Sequence, residues 1–232
     1  MMTRSLRISV IIPTLNEEQT IATCLRQFQD GTPHEVIVVD GASTDRTVEA
    51  ARHHSFVRVI QSPHYGRAVQ MNLGAAEATG ELLVFLHADT FLPARWQDAM
   101  LASIQQDGAV GGRFRLRLAE PGLAYRCIAW GTNFRSRVLG ITYGDQVIYA
   151  RREAFQRVGG FPLIPLFEDS EFCRRLRREG RFAWIDQPVI TSARRWKVRG
   201  VMRTVLLMWL LRTLYTLSVP PDTLARYYGA VR

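Results

Sequence analysis

The stretch "LVFLHADT", residues 83–90, decides the fold. Four apolar residues run straight into His87, Ala88 and Asp89, with Gly80 before them and Pro93 after. A short apolar run bounded by turn formers reads as a strand covered on both faces. In open α/β sheets, ligands bind outside the carboxyl ends of such strands. Asp89 can equally be a cap on the turn that follows, so the surrounding chain has to decide.

Working outward, strand and helix signals alternate. "RISVIIP" is a strand stopped by Pro13, and "NEEQTIATCLRQF" a helix with Asn16 as its N-cap and two acids in its first turn. "HEVIVVD", "VRVIQS" and "ELLVFLHAD" supply three more strands, and "STDRTVEAARHH" and "GRAVQMNLGAAEA" the helices between them. Strands separated by helices of this length imply right-handed crossovers and a parallel sheet. From about residue 108 the pattern changes: "GGRFRLRL" alternates like a half-exposed strand, "YRCIAWGTNFRSRVL" is helical and "QVIYA" is a strand. "PLFEDSEFCRRLRREG" is a helix entered through acids and stopped by Gly180. The predicted fold class is α/β: a mixed, mainly parallel sheet flanked by helices, in one domain over residues 1–200. Residues 1–107 form its nucleotide-type half and 108–200 the half that closes it, with a C-terminal helical extension over 201–232.

At 232 residues the chain can bury a proper core, and its 47% hydrophobic and 22% charged content is that of a globular protein. The net charge of +9 is uneven: residues 1–150 hold 14 Arg and 14 acids, whereas residues 151–232 hold 16 Lys and Arg against 7 acids. No aromatic-interleaved basic stripe or finger spacing points to nucleic acid. Cys24, Cys127 and Cys173 show no CxxC pair, which argues against a disulfide framework or a zinc site. The start "MMTRSLRISV" lacks a signal-peptide pattern, so a cytoplasmic location is expected. Residues 201–219 are the most hydrophobic window, but Arg203 and Arg212 leave it well short of the ~20 residues of a spanning helix. A packed helix, a homodimer contact and a membrane-leaning helix stay open for it.

Four strand ends deliver polar residues to one sheet edge: "PTLNEE", "DGAST", "QSPHYGR" and "HADT". Together they form a rim suited to a nucleoside diphosphate. Asp40, followed by Gly41, can accept from a base imide or from ribose hydroxyls. Asp45 either caps its helix or touches ligand. Arg67 opens a helix whose N-terminus can face phosphate. Asp89 fits a divalent cation completed by pyrophosphate oxygens and water. If the segment is extended, His87 faces the same side; it is either a second ligand to the cation or a hydrogen-bond partner. Glu168 and Asp169 open a later helix, where acids suit the dipole but where a general base can also be held.

The ordered set "IIPTLNEE", "VVDGASTDRT", "FLHAD", "GGRFRL", "YGDQVIYARREAF" and "PLFEDSEFCRRLR" resembles family 2 glycosyltransferases of the GT-A fold over about residues 6–200. "TSARRW" and "PDTLARYYG" resemble the small stand-alone subgroup named for arsenosugar biosynthesis. The resemblance implies an inverting transfer from a nucleotide sugar, UDP-linked in this reading, to a small acceptor, with Mn or Mg on the diphosphate. By motif, Pro13, Thr14, Asn16, Glu17 and Asp40 line the nucleotide site, with Ser43, Asp45, Arg67, His87 and Ala88 beside them. His87, Ala88 and Asp89 stand where the family has its DxD-type metal motif, with a single aspartate kept. Asp169 stands at the catalytic base, next to Glu168. Gly111, Gly112, Tyr143, Asp145 and Gln146 border the acceptor, and Arg195 and Trp196 match an RW element near the diphosphate. Two other classes compete: a nucleotidyltransferase, for which "PTLNEEQT" lacks the Gly and Lys of a phosphate loop, and a non-catalytic nucleotide- or membrane-associated binding protein.

Overall fold

In a computed structural model that describes residues 6–31 and 33–228, eight strands form one curled sheet in the order β3-β2-β1-β4-β7-β6-β8-β5. The predicted parallel half is there: β1 (Ile8–Thr14), β2 (Glu35–Asp40), β3 (Val57–Gln61) and β4 (Leu82–Phe85). β1 pairs in parallel with both β2 and β4, and β2 with β3. β1 explains why these strands read as continuous apolar runs. Val10 and Ile12 enter one core and Ile11 the other, so both faces are covered. One core lies under α1 (Ile21–Arg26), α2 (Thr47–Arg52) and α4 (Trp96–Gln105). The other lies under α3 (Arg67–Glu77), α6 (Arg152–Arg157) and α7 (Glu168–Glu179).

In the second half, β7 (Ile148–Arg151) runs antiparallel between β4 and β6 (Gly111–Leu118), and β6 pairs in parallel with β8 (Phe182–Thr191). α5 (Leu123–Val138) packs over β6, joined to it by Asn133, whose side chain exchanges hydrogen bonds with the Leu116 backbone at 2.9 Å each way. The short β5 (Thr90–Phe91) pairs antiparallel with the end of β8, which curls the sheet back onto the "HADT" segment. The chain continues through α8 (Arg194–Arg199), α9 (Val201–Thr216) and α10 (Pro221–Tyr228).

Four expectations need correction. Asn16 is not an N-cap: it has a positive φ of 54°, and the helix starts only at Ile21, so Glu17 and Glu18 precede it. Residues 87–90 are not extended; the Thr90 N–H donates to the His87 carbonyl at 3.1 Å and closes a turn. "GGRFRLRL" is half-exposed as expected only in its second half, where Arg115 and Arg117 reach outward between buried Leu116 and Leu118; its first half is buried, with Arg113 against the ring of Trp184, 4.6 Å from the centroid. β5, β8 and α6 were absent from the sequence reading. Residues 1–5 and 229–232, part of the expected outer segments, lie outside the described residues.

Candidate active site

The first two rim loops are clasped together. The Asn16 backbone N–H donates to Ser43 Oγ at 2.9 Å, and Asn16 Oδ1 accepts from the Thr44 N–H at 2.9 Å. The Glu17 N–H donates to Thr47 Oγ1 at 2.8 Å and the Glu18 N–H to Asp45 Oδ2 at 3.2 Å. Asp45 also accepts from the Thr47 N–H, an Asx turn that leads into α2, whose N-cap position is Arg46. Asp40 ends β2 with no exposed surface. Its carboxylate accepts from Ser43 N–H (2.9 Å), Ser43 Oγ (2.5 Å) and Thr14 Oγ1 (3.3 Å), so a base contact would require this loop to yield a bond. Beneath both loops lies Gln70, a buried α3 residue that donates to the Thr14 and Val39 carbonyls at 2.7 and 2.8 Å. The sequence hint was a lone amide on an otherwise apolar helix face.

The "HADT" turn is braced by α1. Cys24 Sγ donates to the His87 and Thr90 carbonyls at 3.8 Å, and Gln27 Nε2 donates to Thr90 O at 3.3 Å. Burial, with Asp89 nearby, pushes the Cys24 thiol up to about 12, so it stays protonated. Ala88 points into the core, which corrects its place among the nucleotide contacts to a backbone role at most. Asp89 receives only long bonds, from Thr90 Oγ1 at 3.4 Å and Thr191 Oγ1 at 3.5 Å. Burial and the Glu17 carboxylate raise its pKa, while Arg194 opposes them. Arg194 bridges both oxygens of Glu17 at 3.1 Å. A carboxylate with spare acceptor capacity beside a second acid fits a cation. Among the described residues, no three His, Cys, Asp or Glu side chains gather into a metal cage. A cation here would therefore complete its shell with ligand oxygens and water.

The opposite wall holds the acids at the start of α7. Arg67 Nε donates to Glu168 Oε1 at 2.6 Å, and its Nη2 lies 3.2 Å from Asp169 Oδ2. Burial works against the Arg67 charge, yet Asp169 and Glu168 raise its pKa. Asp169 Oδ2 also accepts from the Gly144 N–H at 2.9 Å. Its Oδ1 is buried without a hydrogen-bond partner, as are Glu168 Oε2, Asp145 Oδ1 and His87 Nε2. His87 Nε2 and the Asp169 carboxylate lie against Gly144. A Cβ there would lie 2.5 Å from His87 Nε2 and 2.8 Å from Asp169 Oδ2. Burial, then Arg67 and Arg195, push His87 down to about 3, which keeps the imidazole neutral. Burial, reinforced by Asp169 and opposed by Arg135, pushes Asp145 up to about 6. Burial also raises Glu168, against the pull of Arg67. Arg195 has no hydrogen-bond acceptor among the described residues; burial and Arg67 lower it to about 10, a value that leaves it cationic at neutral pH.

The structure thus gathers Asn16, Glu17, Asp89, Arg194 and Arg195 on one side and Arg67, His87, Asp145, Glu168 and Asp169 on the other. Pro13 and Thr14 end β1 at the same edge, and Trp196 follows half-buried on α8. Arg67, expected to face phosphate, is engaged with the two acids instead. Gly111 and Gly112 do not border a pocket. They lie mid-sheet, where a Cβ on Gly111 would be 2.5 Å from Tyr149 O and one on Gly112 would collide with Tyr149 Oη. Gln146 is enclosed beneath α5, 3.4 Å from Asn133 Oδ1. Tyr143 stacks on Phe167, centroids 6.2 Å apart, and Phe167 on Tyr215 of α9 at 4.8 Å. Arg194, Thr191, Phe167 and Tyr215 were missed, because each reaches the site through β8 or α9 pairings that local sequence does not encode.

The model of Glycosyl transferase family 2 matches residues 9–160. The chain belongs to glycosyl transferase family 2. The uncharacterized glycosyltransferase Rv0539 of Mycobacterium tuberculosis is 34% identical over 172 residues, which is 67% of this chain and 75% of that protein. Three further curated family members are longer, and the chain aligns with only 33% to 56% of their length. Among solved structures, the mannosyltransferase PcManGT from Pyrobaculum calidifontis, in complex with GDP-Man and Mn2+, superposes with a TM-score of 0.67 at 25% identity. That superposition covers 91% of this chain and 61% of PcManGT. The glucosyl-3-phosphoglycerate synthase of Mycobacterium tuberculosis, solved with Mn2+, UDP and phosphoglyceric acid, gives 0.59 at 20% identity and covers 89% of this chain and 78% of that one; it supports the GT-A fold. Sequence therefore places this chain in glycosyl transferase family 2, and its architecture is the GT-A fold.

Proposed function

We propose that the chain transfers a sugar from a UDP-linked donor to a hydroxyl of a small acceptor, inverting the anomeric centre, with Asp169 as general base. The observation that carries this reading is the state of Asp169. One oxygen is fixed by the Gly144 N–H and Arg67, while the other is buried and unpartnered. A base must hold one oxygen ready within ~3 Å of the hydroxyl that it activates, and a carboxylate anchored through its other oxygen meets that need.

Residues 1–107 hold the nucleotide in this reading, between the clasped "PTLNEE" and "DGAST" loops. Residues 108–200 hold the acceptor, against Tyr143 and Asp145. Asp89 would hold Mn or Mg, which would supply neutralising charge for the diphosphate; His87, the expected second ligand, instead has its Nε2 beside Gly144 on the opposite wall. Arg195 adds a cation on the same side. The acceptor oxygen attacks the anomeric carbon from the face opposite the leaving diphosphate, and its proton passes to Asp169 Oδ1. The likeness of "TSARRW" and "PDTLARYYG" to the arsenosugar-biosynthesis subgroup is the finer form of the proposal and bears on the acceptor.

The test pairs binding with turnover. Asp169→Asn is expected to lose at least about a thousandfold in transfer, while UDP with Mn2+ stabilises it against heat as it does the wild type, by about 2.7 kcal/mol at 100 times the dissociation constant. Persistent transfer would move the base elsewhere. GDP or ADP giving the shift in place of UDP would overturn the uridine assignment.

A further inference from the structure

α9 is apolar on two faces. Its inner face, with Leu207, Leu211, Leu214 and Tyr215, packs on Leu166, Phe167 and Leu224. Its outer face leaves Met202, Leu206, Trp209 and Leu210 exposed, with Leu217 just past its end; Trp209 is 70% exposed. At about 100° per residue these five fall within roughly 100° of arc, so they form one stripe. Arg212 does not interrupt it, because its guanidinium turns inward to Ser170 Oγ at 3.1 Å and over Phe167. α5 carries a second exposed stripe, with Trp130 stacked on Phe134 at 5.4 Å and Leu123 and Val138 at its ends. The two helices are linked through intervening rings: Arg135 of α5 covers Tyr143, which stacks on Phe167, and Phe167 packs on Tyr215 of α9.

We propose that the outer face of α9, with the exposed stripe of α5, docks the protein on an anionic lipid surface. Charge decides the occupant. Residues 187–221 and 121–144 contain no acid, and although Arg194, Lys197 and Arg212 are engaged with Glu17, Glu120 and Ser170, Arg203 on α9 and Arg126 and Arg137 on α5 are exposed. An apolar stripe bearing Trp and bordered by cations alone is suited to the headgroup boundary of an anionic leaflet. A second copy meeting the stripe across a two-fold axis would bring its own arginines against these. Spanning is excluded for the described helices, none of which is long and apolar enough to cross a membrane. The docking does not depend on the transfer reaction.

The test is co-sedimentation with vesicles of phosphatidylcholine alone or with about 30% phosphatidylglycerol, at low and high salt. The wild type is expected to pellet with the anionic vesicles at low salt, with a blue shift in Trp fluorescence. The double variant Leu206→Ser, Trp209→Ser should partition at least about tenfold less while keeping its circular dichroism and its thermal shift with UDP. Both positions are exposed, so folding is not at stake. Equal pelleting of wild type and variant, or no pelleting with anionic vesicles, would overturn the proposal. So would a wild-type dimer in light scattering that the same substitutions dissolve, which would assign the stripe to a second copy.

Discussion

Asp145→Asn is expected to stabilise the protein, and to do so more at high pH than at low. In the native state the Asp145 carboxyl is pushed from 3.8 up to about 6, chiefly by burial and then by Asp169, with Arg135, Arg195 and Arg67 pulling the other way. A carboxyl whose folded pKa lies above its unfolded value costs nothing below the unfolded value. The cost grows as pH rises through the window from 3.8 to about 6 and is complete above it. Integrating over that window gives about 1.6 kcal/mol at pH 5 and about 3 kcal/mol at pH 8. Asparagine keeps the shape and carries no charge, so the variant should gain on the wild type by roughly those amounts. The gap should widen by about 1.4 kcal/mol between the two pH values. Urea unfolding at pH 5 and 8, with equal slopes for both proteins, measures it directly. A gap that does not change with pH, or a variant less stable than wild type at pH 8, would refute the account of Asp145 as a carboxyl burdened by burial beside Asp169.

Arg67→Met leaves Glu168 and Asp169 without their shared cation. A loss of up to about 3 kcal/mol is expected, at the low end for a broken buried pair because the Arg67 side chain is 38% exposed. With the cation that pulls it down gone, the Glu168 carboxyl rises further in pKa, so the loss should be largest at pH 8 and shrink toward pH 5, as unfolding at the two values would show. Gly144→Ala places a methyl group between His87 Nε2 and Asp169 Oδ2; overpacking of about 1–3 kcal/mol and a transfer rate well below wild type are expected, read from thermal midpoint and turnover. Asp89→Asn should weaken Mn2+-dependent nucleotide binding, measured by calorimetry with and without the ion, and leave binding in EDTA unchanged; an unaltered Mn2+ response would remove Asp89 from the cation site.

The parallel half of the fold was legible because its strands are buried on both faces and its turns are local: Pro13, Asp40 and Gly41 each act on their own segment. What stayed hidden depends on long-range pairing. β8 reads poorly because Asp186, Gln187 and Pro188 break its pattern. The register slips there, from Phe114 opposite Ile185 to Arg115 opposite Pro188, and the irregularity accommodates a proline within the strand. That strand then brings Thr191 and Arg194 to Asp89, so half of the polar surroundings of the "HADT" turn arrive from a hundred residues away. Asn16 misled for a different reason. Its residue type suits an N-cap, but its side chain is engaged with Thr44 across the rim, and the left-handed backbone at φ 54° that Asn tolerates well turns the chain away from a helix.

Glu168 and Asp169 show why position alone could not separate a helix-dipole role from a chemical one. Acids in a first helical turn gain from the dipole wherever they point, and an exposed pair would gain it without being desolvated. Here both side chains are almost fully buried, at 2% and 4% exposure. Two adjacent carboxylates taken out of water cost far more than a dipole worth about 0.3–1 kcal/mol returns. Arg67 offsets part of that cost, but it binds one oxygen of each acid and leaves Glu168 Oε2 and Asp169 Oδ1 unpartnered. A purely structural pair would have been selected to satisfy all four oxygens, or would have been left in water. An arrangement that buries two acids, clamps one oxygen of each and leaves the other without a partner makes sense when a ligand hydroxyl completes it.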